Sequence, residues 1–266
     1  MAPSLSLTLE RFLKPHRKQI IPMKAHSIIS GLAVAALIAL PASTFAQAKT
    51  GPDYDPKAKT ILDGVSATAK AYTSITATFT ISTEKPGGVK ESKTGTVIFK
   101  GNMYKITLDC KNAKGTPYKE EYYNDGTTMW SYNGNENECQ VDNAPDPTKK
   151  KNENTISPTE IFTFHEKGFK YSFVDEKTEG GVVVQNVKLI PENPDKKNYH
   201  TIKLKINKAK KQIMSITQMN KDGSTTTYTV NTFTPNTAYT DATFKFDKTK
   251  YPGCTIVDLR EDEDPK

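Results

Sequence analysis

The sequence predicts a mainly β protein of the α+β kind: one amphipathic helix, then about eleven short strands in a single large antiparallel sheet. Three observations predict it. Apolar residues recur at helical spacing over 57–73 and at a period of two thereafter. Clusters of glycine, asparagine, aspartate and proline punctuate the alternating runs at hairpin distances. A sheet of that many strands has to curl or cover its edges, because unpaired edge groups invite pairing with other chains.

The chain opens with a segment that does not belong to that sheet. Residues 28–40, IISGLAVAALIAL, have the length of a signal-peptide core and are too short to cross a bilayer. Lys24 and His26 precede the run, and Ala46-Gln47-Ala48 after Pro41 supplies a small-residue cleavage site. The expectation is an upstream extension over 1–22, a secretory signal over 23–48 starting at Met23, and one exported domain over 49–266. No cysteine follows the cleavage region, which argues for a soluble product without an acylated N-terminus.

Removing the leader changes the electrostatic reading. Arg11, Lys14, Arg17, Lys18 and Lys24 against Glu10 account for +4 of the formal +7, leaving about +3 on scattered lysines. That is too mild and too dispersed for a nucleic-acid partner. Cys110, Cys139 and Cys254 all lie in the exported part, where one disulfide and one leftover thiol are expected, with the pairing open. With no C-x-x-C and only His165 and His200 after the leader, neither a metal site nor a cofactor is expected. No G-x-S-x-G elbow is present and no motif supports a catalytic Cys–His pair, so the chain does not read as an enzyme.

In chain order, 57–73 (KAKTILDGVSATAKAYT) places Ile61, Leu62, Val65, Ala69 and Tyr72 on one helical face. The strands expected next are SITATFTIS, TGTVIFKG, MYKITLDC, TPYKEEYY, TTMWSY, KYSFV, VVVQNVKLI, HTIKLKIN, QIMSITQM, TTTYTVNTF and ATFKFD. Asn143 to Asn154 is a polar loop without apolar periodicity. After it, Ser157 as N-cap, Pro158 at the first helical position and Glu160 closing a capping box predict a short helix carrying Ile161, Phe162 and Phe164 and stopping near Gly168. The acidic residues 261–264 read as a frayed tail.

One curved sheet and so little helix leave a question that periodicity does not answer. The residues read onto the inner face are Phe79, Ile81, Val97, Phe99, Tyr104, Ile106, Leu108, Trp130 and Tyr132, with Ile61, Val65 and Phe162 on the helices above them. If they fill the concavity it is a core; if they fill it incompletely it is an apolar ligand cavity. Trp130, the only tryptophan, is then a core anchor, a stacking platform or a pocket wall.

Four stretches, in this order, resemble the LolA family: ILDGVSATAKAYTSITATFTIS, GTVIFKGNMYKITL, NDGTTMWSYNGNENECQV and FKFDKTKYPGCTIVDLR. The third is the most specific, similar to the family's D-G-K-x-L-W-x-Y-N signature, a polar turn and another strand. The resemblance covers nearly all of 49–266. It implies an incomplete antiparallel β-barrel with an α-helical lid over a hydrophobic cavity. It also implies a monomeric periplasmic carrier of triacylated lipoproteins, loaded by an inner-membrane LolCDE-type ABC transporter and unloaded to an outer-membrane acceptor. Ile61, Val65, Phe79, Ile81, Val97, Phe99, Tyr104, Ile106, Leu108, Trp130, Tyr132 and Phe162 would then be the acyl-chain-binding residues, with Trp130 and Tyr132 inside the barrel.

The chain departs from the family at one functional position. Where well-studied members carry Arg-Pro as a lid latch, this sequence has Lys100-Gly101, and lysine lacks the planar multi-donor fork of arginine. A general lipid or glycolipid shuttle, a lipid sensor of envelope stress and an exported scaffold are the rival readings.

Overall fold

The computed structural model describes residues 53–144, 162–163, 166 and 168–260. The segments read as upstream extension and signal, most of the 143–154 loop, most of the helix expected after Ser157 and the acidic tail lie outside them.

Among the described residues there is one α-helix, α1 (Pro56–Lys70), followed by twelve strands. These are β1 (Ile75–Glu84), β2 (Lys90–Lys100), β3 (Met103–Lys111), β4 (Pro117–Asn124), β5 (Thr128–Asn133) and β6 (Glu138–Asn143), then β7 (Phe169–Glu179), β8 (Val182–Pro191), β9 (Tyr199–Asn207), β10 (Gln212–Asn220), β11 (Thr225–Pro235) and β12 (Thr255–Asp258). They form one open sheet in the order β12-β6-β5-β4-β3-β2-β1-β11-β10-β9-β8-β7. Two runs of hairpins meet where β1 pairs with β11, and β12 returns to lie parallel to β6.

Three sequence expectations are corrected. ATFKFD is not a strand: Asp241–Phe244 is a 3-10 turn, because the chain crosses a sheet face there and finds no edge to pair with. Residues 138–143 and 255–258 are strands that the alternation scan does not pick out. Both are short, and β6 carries only Cys139 and Val141 as buried positions among polar neighbours.

Helix α1 starts one residue earlier than its apolar period and stops before Tyr72. Asp55 caps it: Oδ1 accepts from the backbone N–H of Lys57 (2.8 Å) and Ala58 (3.3 Å), with Pro56 at the first helical position. The other carboxylate oxygen accepts from Phe173 N–H in β7 (2.9 Å), so one side chain both begins the helix and ties it to the sheet. Ala58, Leu62 and Val65 then bury against Tyr171, Leu189, Ile202, Leu204 and Ile206 of β7–β9. This half of one sheet face is an ordinary helix-on-sheet core.

The opposite face is covered in the other half of the sheet. After β11 the chain runs back across it as a strap. Asn236 Oδ1 accepts from Thr73 N–H (2.9 Å), and the Tyr239 hydroxyl lies 2.7 Å from Thr76 Oγ1. A disulfide joins Cys254 to Cys139 in β6 with Cα atoms 5.9 Å apart, which settles the open pairing and leaves Cys110 free and buried. β12 follows at once along the β6 edge.

Two outcomes test this description. Replacing Asp55 with Ala should lower unfolding free energy by about 1 kcal/mol near neutral pH. Backbone donors, led by Phe173 N–H, hold the Asp55 carboxyl below its ordinary value. Its contribution is therefore present above the ordinary carboxylate range and lost as pH falls through the depressed value, so the gap between native and variant in denaturant titrations should close on acidification. Thiol titration of the unfolded, unreduced protein should find one reactive thiol per chain. The Cys139→Ser/Cys254→Ser pair should lower stability by about 5 kcal/mol on the chain-entropy scale for so long a loop, read by calorimetry.

Candidate functional site

The candidate site is built where the two hairpin runs meet, on the face that carries α1. Cross-strand partners there fall into rows. One row is Phe233–Ala77–Val97–Ile106–Tyr122–Ser131, and the next is Val230–Phe79–Gly95–Leu108–Glu120–Asn133. Beyond them lie Ile75–Phe99–Tyr104–Asn124–Met129 on one side and Tyr228–Ile81–Lys93 on the other. Since residues two apart along a strand share a face, these rows make one continuous surface.

Its floor is packed. Leu108, Tyr104, Ile106, Ala77, Ile81 and Val97 are buried, while Phe79, Phe99, Val230 and Phe233 are only half-buried against them. Gly95 is part of this packing. A Cβ there would come within 2.7 Å of both Leu108 Cδ2 and the Phe79 ring and within 2.8 Å of Thr107 O, so the phenyl ring occupies the space above a strand glycine. The Tyr104 hydroxyl reaches Met129 Sδ (3.4 Å), and burial pushes its pKa up to about 12.

Polar groups interrupt the floor at one end. Glu120 is buried and accepts from the hydroxyls of Tyr118 (3.2 Å) and Tyr122 (3.3 Å), with Lys93 Nζ 3.6 Å away. Cys110 lies beside this pair, and burial raises its thiol pKa to about 11, which makes it a poor nucleophile. A small cleft of ≈ 30 Å³ opens next to Glu120, lined in part by Tyr122, Ser131, Asn133 and Gln140.

The structure divides the residues expected from sequence into three groups. Phe79, Ile81, Val97, Phe99, Tyr104, Ile106 and Leu108 are brought together in the floor just described. Val65 is buried under α1 with Ile61 and Phe162 packed at that cluster, so these three belong to the helix-on-sheet core. Trp130 and Tyr132 do not join the floor. The register pairs Tyr122 with Ser131 and Asn124 with Met129, so Met129, Ser131 and Asn133 share the floor's face and Trp130 and Tyr132 point to the other one. Hydrophobicity misdirects here, because the floor side of β5 is the more polar one.

On that other face Trp130 is a clasp for the strap. Phe246 stacks on it at 4.5 Å and 7° and on Tyr251 at 4.7 Å and 6°, with Tyr123 edge-on to Phe246 at 5.7 Å. The Tyr251 hydroxyl donates to Glu121 Oε2 (2.6 Å) and meets the Tyr123 hydroxyl at 2.9 Å. Lys100, which stands where the family's latch arginine would be, also serves the strap. Its Nζ donates to Tyr239 O (2.9 Å) and Asp241 Oδ1 (2.8 Å), and holds the Asp241 carboxyl below its usual range.

Sequence reasoning misses Tyr118, Tyr122, Tyr228, Val230, Phe233, Lys93 and Glu120. The signal was available in TPYKEEYY and TTTYTVNTF, where alternation puts Tyr118, Glu120 and Tyr122, or Tyr228 and Val230, on one side. Charged or hydroxyl neighbours mask it.

A family model described as outer membrane lipoprotein carrier protein LolA matches residues 70–247. The chain belongs to the LolA family. No curated protein matches it in sequence. Similar solved structures include an uncharacterized conserved protein from Thermus thermophilus, at 12% identity and TM-score 0.49 over 76% of this chain and 99% of that one. A LolA superfamily protein from Nitrosomonas europaea aligns at 12% identity and TM-score 0.38 over 71% and 97%. LprF from Mycobacterium bovis aligns at 13% identity and TM-score 0.43 over 70% and 96%. The family match runs from α1's last residue into the strap, so the floor, the seam and Trp130 are all inside the LolA region.

The placement of Trp130 generates a prediction. Trp130→Ala should cost about 2–4 kcal/mol of stability by removing the Phe246 stack. A denaturation curve would show the loss.

Proposed function

We propose that this LolA-family chain is an exported, monomeric, non-enzymatic carrier that shields the acyl chains of lipoproteins between the inner and outer membranes. The observation that carries the proposal is the seam floor: an apolar surface on which Phe79, Phe99, Val230 and Phe233 are only partly buried. Exposed apolar area of that kind is what a greasy ligand covers. Each methylene withheld from water is worth about 0.8 kcal/mol, so several acyl chains need a protein surface to cross an aqueous compartment. Among the described residues no helix is long and apolar enough to cross a membrane.

In this reading the 23–48 segment directs export and is removed, and the acyl chains lie on Phe79, Ile81, Val97, Phe99, Tyr104, Ile106 and Leu108. Loading comes from a LolCDE-type transporter and release is to an outer-membrane acceptor. Lys100 anchors the strap behind the site and is not the latch in front of it.

Recovery of the processed protein from its own periplasm, with mass spectrometry of what accompanies it, tests the proposal. Triacylated lipoproteins at one per chain, lost in Phe99→Glu, are the expected result, together with an N-terminus near residue 49. Free phospholipid or glycolipid alone would replace the lipoprotein carrier with a general shuttle. Recovery of neither, together with no binding of a fluorescent fatty acid, would overturn lipid carriage altogether.

A further inference from the structure

The seam floor holds a feature that shielding hydrocarbon does not require. A buried ion pair in an apolar surface is costly, and replacing it with packed hydrophobic residues is often neutral or stabilising. Here Lys93 and Glu120, with side chains 20% and 3% exposed, stand on the same face as Leu108, Ile81 and Phe79. Glu120 is provided for on both oxygens by the Tyr118 and Tyr122 hydroxyls. Lys93, which also meets the Cys110 thiol, is used less fully. An ammonium has three donors, and the 3.6 Å approach to Glu120 is longer than a hydrogen bond.

A second donor stands in the same cross-strand row. Tyr228 pairs with Ile81, and Ile81 pairs with Lys93, which puts the Cα atoms of Tyr228 and Lys93 about 10 Å apart on one face. The Tyr228 hydroxyl is fully buried and has no hydrogen-bond partner, and burial pushes its pKa well above the ordinary phenol value. A buried hydroxyl left without a partner is costly. Both groups are donors, and between them lies the Ile81 side chain.

We propose that Lys93 and Tyr228 form a polar subsite that receives the oxygen-acceptor head of an acyl chain, an ester carbonyl or a carboxylate, while the chain lies on the aromatic end of the floor. This deepens the lipid-carrier reading and rests on it. The subsite gives the ligand a direction: acceptor oxygens at the Lys93–Tyr228 row, and hydrocarbon running over Phe79 and Val97 toward Phe99. Glu120 is a positioning residue that holds the Lys93 ammonium at the floor through a contact the two phenols buttress.

Competition against a bound fluorescent fatty acid tests it, using laurate, methyl laurate, dodecanol and dodecylamine on the whole exported protein. Laurate and methyl laurate should bind about 10-fold or more tightly than dodecylamine, and laurate should exceed dodecanol by a similar factor. Lys93→Met should remove about 10-fold of the laurate advantage, and Tyr228→Phe, which deletes one oxygen, about 3-fold or more from both laurate and its ester. Each variant should unfold cooperatively in a thermal scan followed by circular dichroism, which shows that the fold is intact.

Equal binding of all four heads, a preference for the amine, or unchanged ratios in both variants would overturn the subsite and leave lipid carriage standing. If none of the four competes and the fluorescent probe does not bind, both readings fall together. Ester or lipoprotein ligands are separated from free fatty acids by the same series in the unaltered protein: the former predict methyl laurate binding at least as tightly as laurate, the latter predict laurate binding more tightly.

Discussion

The pairing of β1 with β11 is the contact on which the rest of the structure depends. Nearly every other neighbour in the sheet is the next strand in sequence, joined by a short turn, so each half can form locally. β1 and β11 instead join residues about 150 positions apart, such as Phe79 with Val230 and Ile81 with Tyr228. Closing such a loop is opposed by chain entropy, and the aromatic and β-branched pairs across the seam on one face, with threonine ladders such as Thr78–Thr232 (2.7 Å) on the other, offset it. The candidate site lies on that seam. Its geometry exists only once the two halves have met.

A sheet of twelve strands has two faces, and the chain covers them asymmetrically. Helix α1 takes the β7–β10 half of one face and the strap takes the β1–β6 half of the other. Stability is thereby concentrated in two places away from the seam floor. The disulfide, the Phe246–Trp130 stack and the Lys100 contacts hold the strap from behind, and Asp55 holds the helix at the side. A surface framed this way can remain partly uncovered without endangering the fold, which is what the proposed role as a reversible carrier would need.

The polar row at one end of the floor bears on how such a carrier would release its load. Hydrocarbon burial is non-directional and grows with chain length, so affinity from methylenes alone rises without setting an orientation. A few fixed donors add direction at modest affinity, because each hydrogen bond exchanged with water contributes little net free energy. Lys93 and Tyr228, placed among Ile81, Leu108 and Phe79, combine the two in the way small-molecule sites generally do.

Sequence by itself determined the helix, ten of the strands and the part of the floor that β1, β2 and β3 supply. Those follow from local periodicity and turn chemistry: SITATFTIS and MYKITLDC alternate cleanly because one side of each strand is buried. Tertiary structure decided what locality leaves open. Which face β5 turns to the floor depends on its register with β4, and a shift of one residue inverts it, so the only tryptophan clasps the strap and lies away from the floor. The cysteine pairing, the parallel return of β12, the buried Glu120 and the unpartnered Tyr228 hydroxyl likewise depend on residues far apart in the chain meeting across the sheet. Alternation says that a residue has a side; only packing says what that side faces.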